Sequence, residues 1–154
     1  MMTSQPAEVV TCANCGRKNR VPAAATGLPR CGHCHQPLPW ITAADDDCYH
    51  DVVDGAALPV LVDLWAPWCG PCRVISPTLE TLARSRPGTI KLVKVNVDEA
   101  PRVASSHGAQ SIPTLLVVNR GEVVARHIGA APEHTIRAWL DEALTHLPGS
   151  PPAG

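Results

Sequence analysis

Three Cys-x-x-Cys pairs, Cys12/Cys15, Cys31/Cys34 and Cys69/Cys72, constrain this chain more than any other feature. They occupy two different settings. The first two lie in "CANCGRKNRVPAAATGLPRCGHC", within a stretch (residues 11 to 37) that has almost no periodic apolar pattern and could not bury a core alone. The third, in "WAPWCGPCR", follows the apolar run "PVLVDLWA" and precedes a helical pattern. Seven cysteines are present, an odd number. The first ten residues show neither a basic nor an apolar leader pattern, and no stretch approaches the ~20 apolar residues of a membrane span. A cytoplasmic location is therefore expected, where thiols stay reduced, and metal binding and redox chemistry become the leading uses of cysteine. The net charge of −1 argues against a polyanion-binding role, so neither nucleic acid nor membrane is expected as a partner.

From Leu38 onward the pattern becomes regular α/β. "LPWIT" predicts a short strand and "AADDDCYHDVV" a helix with acidic residues near its start. "PVLVDLWA" predicts a strand covered on both faces. "PCRVISPTLETLARSR" predicts a helix kinked at Pro77, "TIKLVKVNVD" a strand, and "APRVASSHG" a short helix. "PTLLVVNRGEVVARHIG" predicts a hairpin turning at 119–122, and "PEHTIRAWLDEALTHL" a final amphipathic helix. The expected result is a mixed sheet with helices on both faces. The boundaries read as 9–37 for the small module, 38–147 for the α/β domain and 148–154 for a disordered tail.

The strand-to-helix setting of Cys69 and Cys72 predicts redox chemistry. A helix N-terminus offers unpaired N–H groups and partial positive charge, which stabilise a thiolate at Cys69. Cys72, one turn later, can displace whatever Cys69 has captured. Gly70 permits the tight turn, and Pro71 starts the helix where no donor is needed. Asp63 interrupts "VLVDLW", six residues before Cys69. A carboxyl buried there would have a raised pKa and could take the Cys72 proton when that thiol becomes the attacker.

"VDLWAPWCGPCRVISPTLETLA", "KVNVDEAP" and "SIPTLLVVNRGEVVARHIGA" resemble thioredoxin, in order and at family spacing, from about Leu38 to Leu147. The resemblance implies a thioredoxin fold of five mixed strands and four helices, with Cys69 as nucleophile and Cys72 as resolving thiol. It implies that Asp63 is the buried acid and Lys94 its lysine neighbour. Trp65 and Trp68 fall at the family's two tryptophan positions. Pro113, after Ile112, matches a cis-proline facing the cysteines, and Gly129 the glycine beside that groove. Leu64 departs from a common Phe, which concerns packing rather than chemistry.

Cys12, Cys15, Cys31 and Cys34 form two pairs 15 residues apart, a spacing that predicts one four-cysteine zinc site. Gly16 and Gly32 suit the tight knuckles such a site needs, and Arg17, Lys18, Arg20 and Arg30 would offset its negative charge. His33 and His35 are read as exposed, and Cys48 as a free, partly buried thiol. The whole chain resembles the zinc-containing bacterial thioredoxins, an N-terminal zinc ribbon joined to a thioredoxin domain. It is thus expected to be a protein-disulfide reductase cycling a Cys69–Cys72 disulfide, recharged by an NADPH-dependent thioredoxin reductase, and monomeric. The alternatives are a disulfide oxidase or isomerase on the same fold, and a zinc-dependent redox sensor or binding module.

Overall fold

The computed structural model describes residues 8–25 and 27–147 of the chain. Two small strands, β1 (Glu8–Thr11) and β2 (Lys18–Val21), pair antiparallel across the first cysteine pair. The main domain follows as β3 (Trp40–Ala43), a π-helical segment (His50–Asp54), β4 (Val60–Trp65), α1 (Gly70–Arg84), β5 (Lys91–Asn96), α2 (Pro101–Ser106), β6 (Thr114–Asn119), β7 (Glu122–Ile128) and α3 (Glu133–Thr145). The sheet order is β3-β5-β4-β6-β7. β3, β5 and β4 run parallel, and β6 and β7 are antiparallel. This is the five-stranded mixed sheet with four helices that the resemblance implies. The expected 148–154 tail lies outside the described residues.

β4 sits at the centre, and the two-residue alternation of a strand decides what each of its side chains meets. Val60, Val62 and Leu64 enter one apolar core with Val52, Val53, Val93, Val95 and Val103. Leu61 enters the other, with Ile75, Leu79, Leu92, Leu115, Ile136 and Leu140 from β5, β6, α1 and α3. Asp63 shares the Leu61 row and therefore faces α1. The helix α1 continues through Pro77 without ending there, its apolar face carrying Cys72, Ile75, Leu79 and Leu82. The predicted hairpin turns at Arg120 and Gly121, with φ of 51° and 84°. Two consecutive left-handed residues match the twist of the flanking strands.

The helix predicted over "AADDDCYHDVV" forms later and in irregular form: Tyr49 N–H donates to the Asp45 carbonyl (3.0 Å) and Val52 N–H to the Cys48 carbonyl (2.9 Å), and the segment closes as the π-helical turn His50–Asp54. The acidic residues that suggested a helix start divide between two helices. Asp45 Oδ1 accepts from the backbone N–H of Asp47 (3.0 Å) and Cys48 (3.1 Å) while its carbonyl accepts from Tyr49 N–H, so it caps the start of this segment. Asp46 accepts from the N–H groups of Arg102 (3.1 Å) and Val103 (2.9 Å) and so caps α2.

The N-terminal module packs directly onto the main domain. Cys12, Val21 and Cys31 share one apolar cluster with Leu38, Trp40 and Leu58. Trp40 Nε1 donates to the Pro22 carbonyl at 3.0 Å. The fully buried Lys91 ammonium donates to the carbonyls of Ala23 (2.5 Å) and Val52 (2.6 Å) and lies 3.9 Å from the Trp40 ring centre.

Candidate active site and metal centre

Cys69 is the N-cap of α1, with extended backbone (φ −91°, ψ 109°), and its Sγ accepts from the Cys72 backbone N–H at 3.3 Å. Cys72 lies one turn on, and the two cysteines form a disulfide. Both are buried, whereas Gly70 and Pro71 between them are exposed. The Ile112–Pro113 bond is cis, and it brings the Ile112 carbonyl oxygen within 3.8 Å of Cys69 Sγ. Gly129, at φ 93°, donates its N–H to the Pro113 carbonyl at 2.8 Å, which ties the end of β7 to this loop. Trp68 is 70% exposed, and its indole N–H donates to Asp98 at 3.0 Å. The sequence-marked residues around Cys69 thus come together from three separate chain segments, 68–72, 112–113 and 129.

Asp63 is fully buried, and neither of its carboxylate oxygens has a hydrogen-bond partner. Burial pushes its carboxyl up to about 7, with Lys94 opposing and Glu80 reinforcing the rise. Lys94 is its register partner on β5, but the Lys94 ammonium donates to Ser76 Oγ on α1 at 2.6 Å and lies 5.3 Å from the Trp65 ring centre. A cleft of about 290 Å³ is lined by Asp63, Trp65, Cys72, Ser76 and Lys94. Asp63 and Cys72 thus share the lining of one small cleft.

The sulfur atoms of Cys12, Cys15, Cys31 and Cys34 all lie within 4.8 Å of one another, with Cys12–Cys34 at 3.6 Å and Cys15–Cys31 at 3.5 Å. Tetrahedral ligation with metal–sulfur bonds of ~2.3 Å sets sulfurs roughly 3.8 Å apart, so the four fit around one metal ion. The knuckles repeat: Cys12 N–H donates to the Arg17 carbonyl and Cys31 N–H to the Gln36 carbonyl. The left-handed residue falls at Gly16 (φ 79°) in the first and at His35 (φ 65°) in the second, so Gly32 does not take the role expected of it. Donors converge on Cys31 Sγ: the His33 backbone N–H at 3.4 Å and Asn19 Nδ2 at 3.5 Å. The backbone N–H groups of Cys34 and His33 hold the Cys31 thiol down at about 5. His33 and His35 are exposed and outside the cluster.

A family model described as Thioredoxin matches residues 40–142. The chain belongs to the thioredoxin family. It is 36% identical to Thioredoxin C-3 of Corynebacterium nephridii over 146 residues, covering 92% of this chain and 99% of that one. It is 46% identical to Thioredoxin 1 of Nostoc sp. over 99 residues, 64% of this chain and 92% of the relative. Thioredoxin of Porphyra purpurea is 41% identical over 105 residues, 68% and 98% of the two chains. The alignment with C-3 is long enough to take in most of the N-terminal module. Membership makes this chain a thiol–disulfide oxidoreductase that reduces protein disulfides. Its partners are proteins with reducible disulfides and a reductase that restores the dithiol. Among the described residues no helix is long and apolar enough to cross a membrane.

Several residues of this thioredoxin's sites were not marked in the sequence reading. Ser76 holds Lys94, Asp98 holds Trp68, and Asn19 bridges the knuckles, accepting from Gly32 N–H at 3.0 Å through Oδ1. Nothing in the sequence flags these, because each works through a partner distant in the chain. Lys91 did carry a signal: like Asp63, it is a charge in an apolar strand.

Proposed function

We propose that reduction runs through Cys69 as nucleophile and Cys72 as resolving thiol, with Asp63 as proton acceptor for Cys72. The observation that carries this reading is the order of the parts: Cys69 caps α1, Cys72 follows one turn later, and Asp63 shares the cleft of Cys72. Cys69 thiolate attacks a sulfur of the substrate disulfide, forming a mixed disulfide and releasing the first substrate thiolate. Cys72 then gives its proton to Asp63 and attacks Cys69 Sγ. The Cys69–substrate bond breaks, and the second substrate sulfur leaves as a thiolate. Trp68, Gly70, Pro71, Ile112, Pro113 and Gly129 form the surface that receives an extended substrate segment, with Lys94 as an electrostatic neighbour of Asp63. Main-chain contact along the cis-Pro113 loop gives sequence-tolerant binding.

We also infer that the chain is a zinc-containing bacterial thioredoxin. In this reading residues 9–37 form a ribbon around one structural Zn²⁺ held by Cys12, Cys15, Cys31 and Cys34, and residues 38–147 form the thioredoxin domain. Zinc supplies no step of the disulfide exchange; it crosslinks two knuckles that lack a core of their own. The protein works as a cytoplasmic monomer recharged by an NADPH-dependent thioredoxin reductase.

The test is the asymmetry of the two thiols. Cys69→Ser should abolish reduction, since no attacking thiolate remains. Cys72→Ser should accumulate mixed disulfides through Cys69, detectable by non-reducing electrophoresis and mass spectrometry. Normal turnover by the Cys72 variant, or capture through Cys48, would reverse the assignment.

A further inference from the structure

Asp63 and Lys94 stand opposite each other on adjacent parallel strands, and both line the cleft beneath Cys72. A carboxylate and an ammonium so placed ordinarily pair, and the pairing pulls the carboxyl below its usual range. Here the ammonium is engaged elsewhere. Lys94 donates to Ser76 Oγ at 2.6 Å, while both Asp63 oxygens stay without a partner. Ser76 sits on α1, one turn beyond Cys72, on the wall of the same cleft. We propose that Ser76 is a positioning residue for the resolving step: by holding the Lys94 ammonium at its hydroxyl, it keeps Asp63 free of an ion pair and able to accept the Cys72 proton. The inference rests on the reading of Asp63 as that acceptor.

The other charges around Asp63 leave this role to Ser76. From β5 the only titratable side chain facing Asp63 is Lys94, while α1 contributes Cys72, Arg73 and Glu80. From β6 the cross-strand residue is Leu115, which has no charge. Glu80 reinforces the rise of the Asp63 carboxyl, and Lys94 opposes it. Of these groups Lys94 is the one whose tether can be cut without removing a charge. An acceptor that ionises near neutral pH is strong enough to take a thiol proton and weak enough to give it up. A carboxylate paired with lysine would be ionised at lower pH but would be a poorer base.

The experiment compares Ser76→Ala, Ser76→Thr and Lys94→Met in the full-length, metal-loaded protein. Alanine is the stronger helix former, so Ser76→Ala should fold. The first readout is the titration midpoint of the Asp63 carboxyl carbon by NMR. Ser76→Ala should lower it by about one unit or more, the size expected when an opposite charge moves into contact. Ser76→Thr, which keeps the hydroxyl, should restore the wild-type midpoint. Ser76→Ala should have no further effect once Lys94 is methionine. The second readout is the pH profile of single-turnover release of substrate from the mixed disulfide. The acid limb should move down with the midpoint, and the plateau rate should fall severalfold. An unmoved midpoint in Ser76→Ala overturns the proposal while leaving the Asp63 reading intact. A moved midpoint with an unchanged release profile overturns the Asp63 reading, and the proposal with it.

Discussion

At the scale of single residues, the buried acid makes the sharpest commitment. Asp63 has a folded pKa of about 7 against an ordinary 3.8. Between those values the folded protein holds a proton that the unfolded chain releases. The contribution of Asp63 to stability is therefore full at acid pH, declines as pH rises above about 4, and is gone once pH passes about 7. The shift corresponds to roughly 3–5 kcal/mol. Asp63→Asn removes this dependence, so wild type and variant should diverge in stability between pH 4 and pH 8 by that amount, the variant being the more stable at pH 8. Denaturant titrations at the two pH values measure it. Resolution of the mixed disulfide should also slow near neutral pH. Parallel stability curves for the two proteins would contradict the burial of an ionisable Asp63.

At the scale of elements, the two knuckles and the β6–β7 hairpin follow different rules. The knuckles carry little apolar surface, so their order should depend on metal. One zinc per chain is expected by metal analysis. Its binding in small modules is worth on the order of 10–16 kcal/mol in apparent free energy. Chelation, or Cys34→Ser, should strip amide-exchange protection from β1 and β2. A metal-free chain with β1 and β2 still protected would refute the zinc assignment. The hairpin stands on its own backbone chemistry. Arg120 occupies a left-handed conformation at φ 51°, which a side chain with Cβ adopts at some cost. Arg120→Asn creates the Asn-Gly turn favoured at such positions and should stabilise the protein by about 0.5–1 kcal/mol. A rise in melting temperature with unchanged disulfide reduction is the expected result.

At the scale of the whole molecule, Lys91 joins the two modules. Its ammonium bridges the Ala23 carbonyl of the N-terminal module and the Val52 carbonyl of the main domain, and burial holds it down at about 8. Lys91→Met leaves two buried carbonyls without a donor, each costing about 1–3 kcal/mol. A loss of roughly 2–6 kcal/mol is therefore expected in the full chain. A chain starting at Gln36 lacks Ala23 and Pro22, so it exposes Trp40 and loses one Lys91 partner. It should fold with reduced stability and still reduce insulin disulfides, because the proposed redox residues all lie between Asp63 and Gly129. Lys91→Met should cost less in the shortened chain than in the full one, and the difference measures the coupling of the modules. Equal costs in both chains would mean that Lys91 does not join them. A folded, inactive shortened chain would instead make the N-terminal module part of the active site.

The sequence by itself determined the parts whose cause is local. Strand periodicity, the Gly-Pro spacer, the hairpin signal and the paired cysteines are each encoded within a few consecutive residues. So is the conflict of one Asp in an apolar strand, which marked Asp63. Only the tertiary structure decided where charges and donors find partners. Asp45 and Asp46 both read as the start of one helix, yet only Asp45 caps that segment and Asp46 caps α2, more than 50 residues away. Gly32 read as a knuckle glycine, yet His35 takes the left-handed position. Lys94 read as the neighbour of Asp63 and stands opposite it on β5, and packing sets its hydrogen bond to Ser76. In each case a polar group can be satisfied by several partners at similar cost, and folding selects the one that packing brings within hydrogen-bond reach.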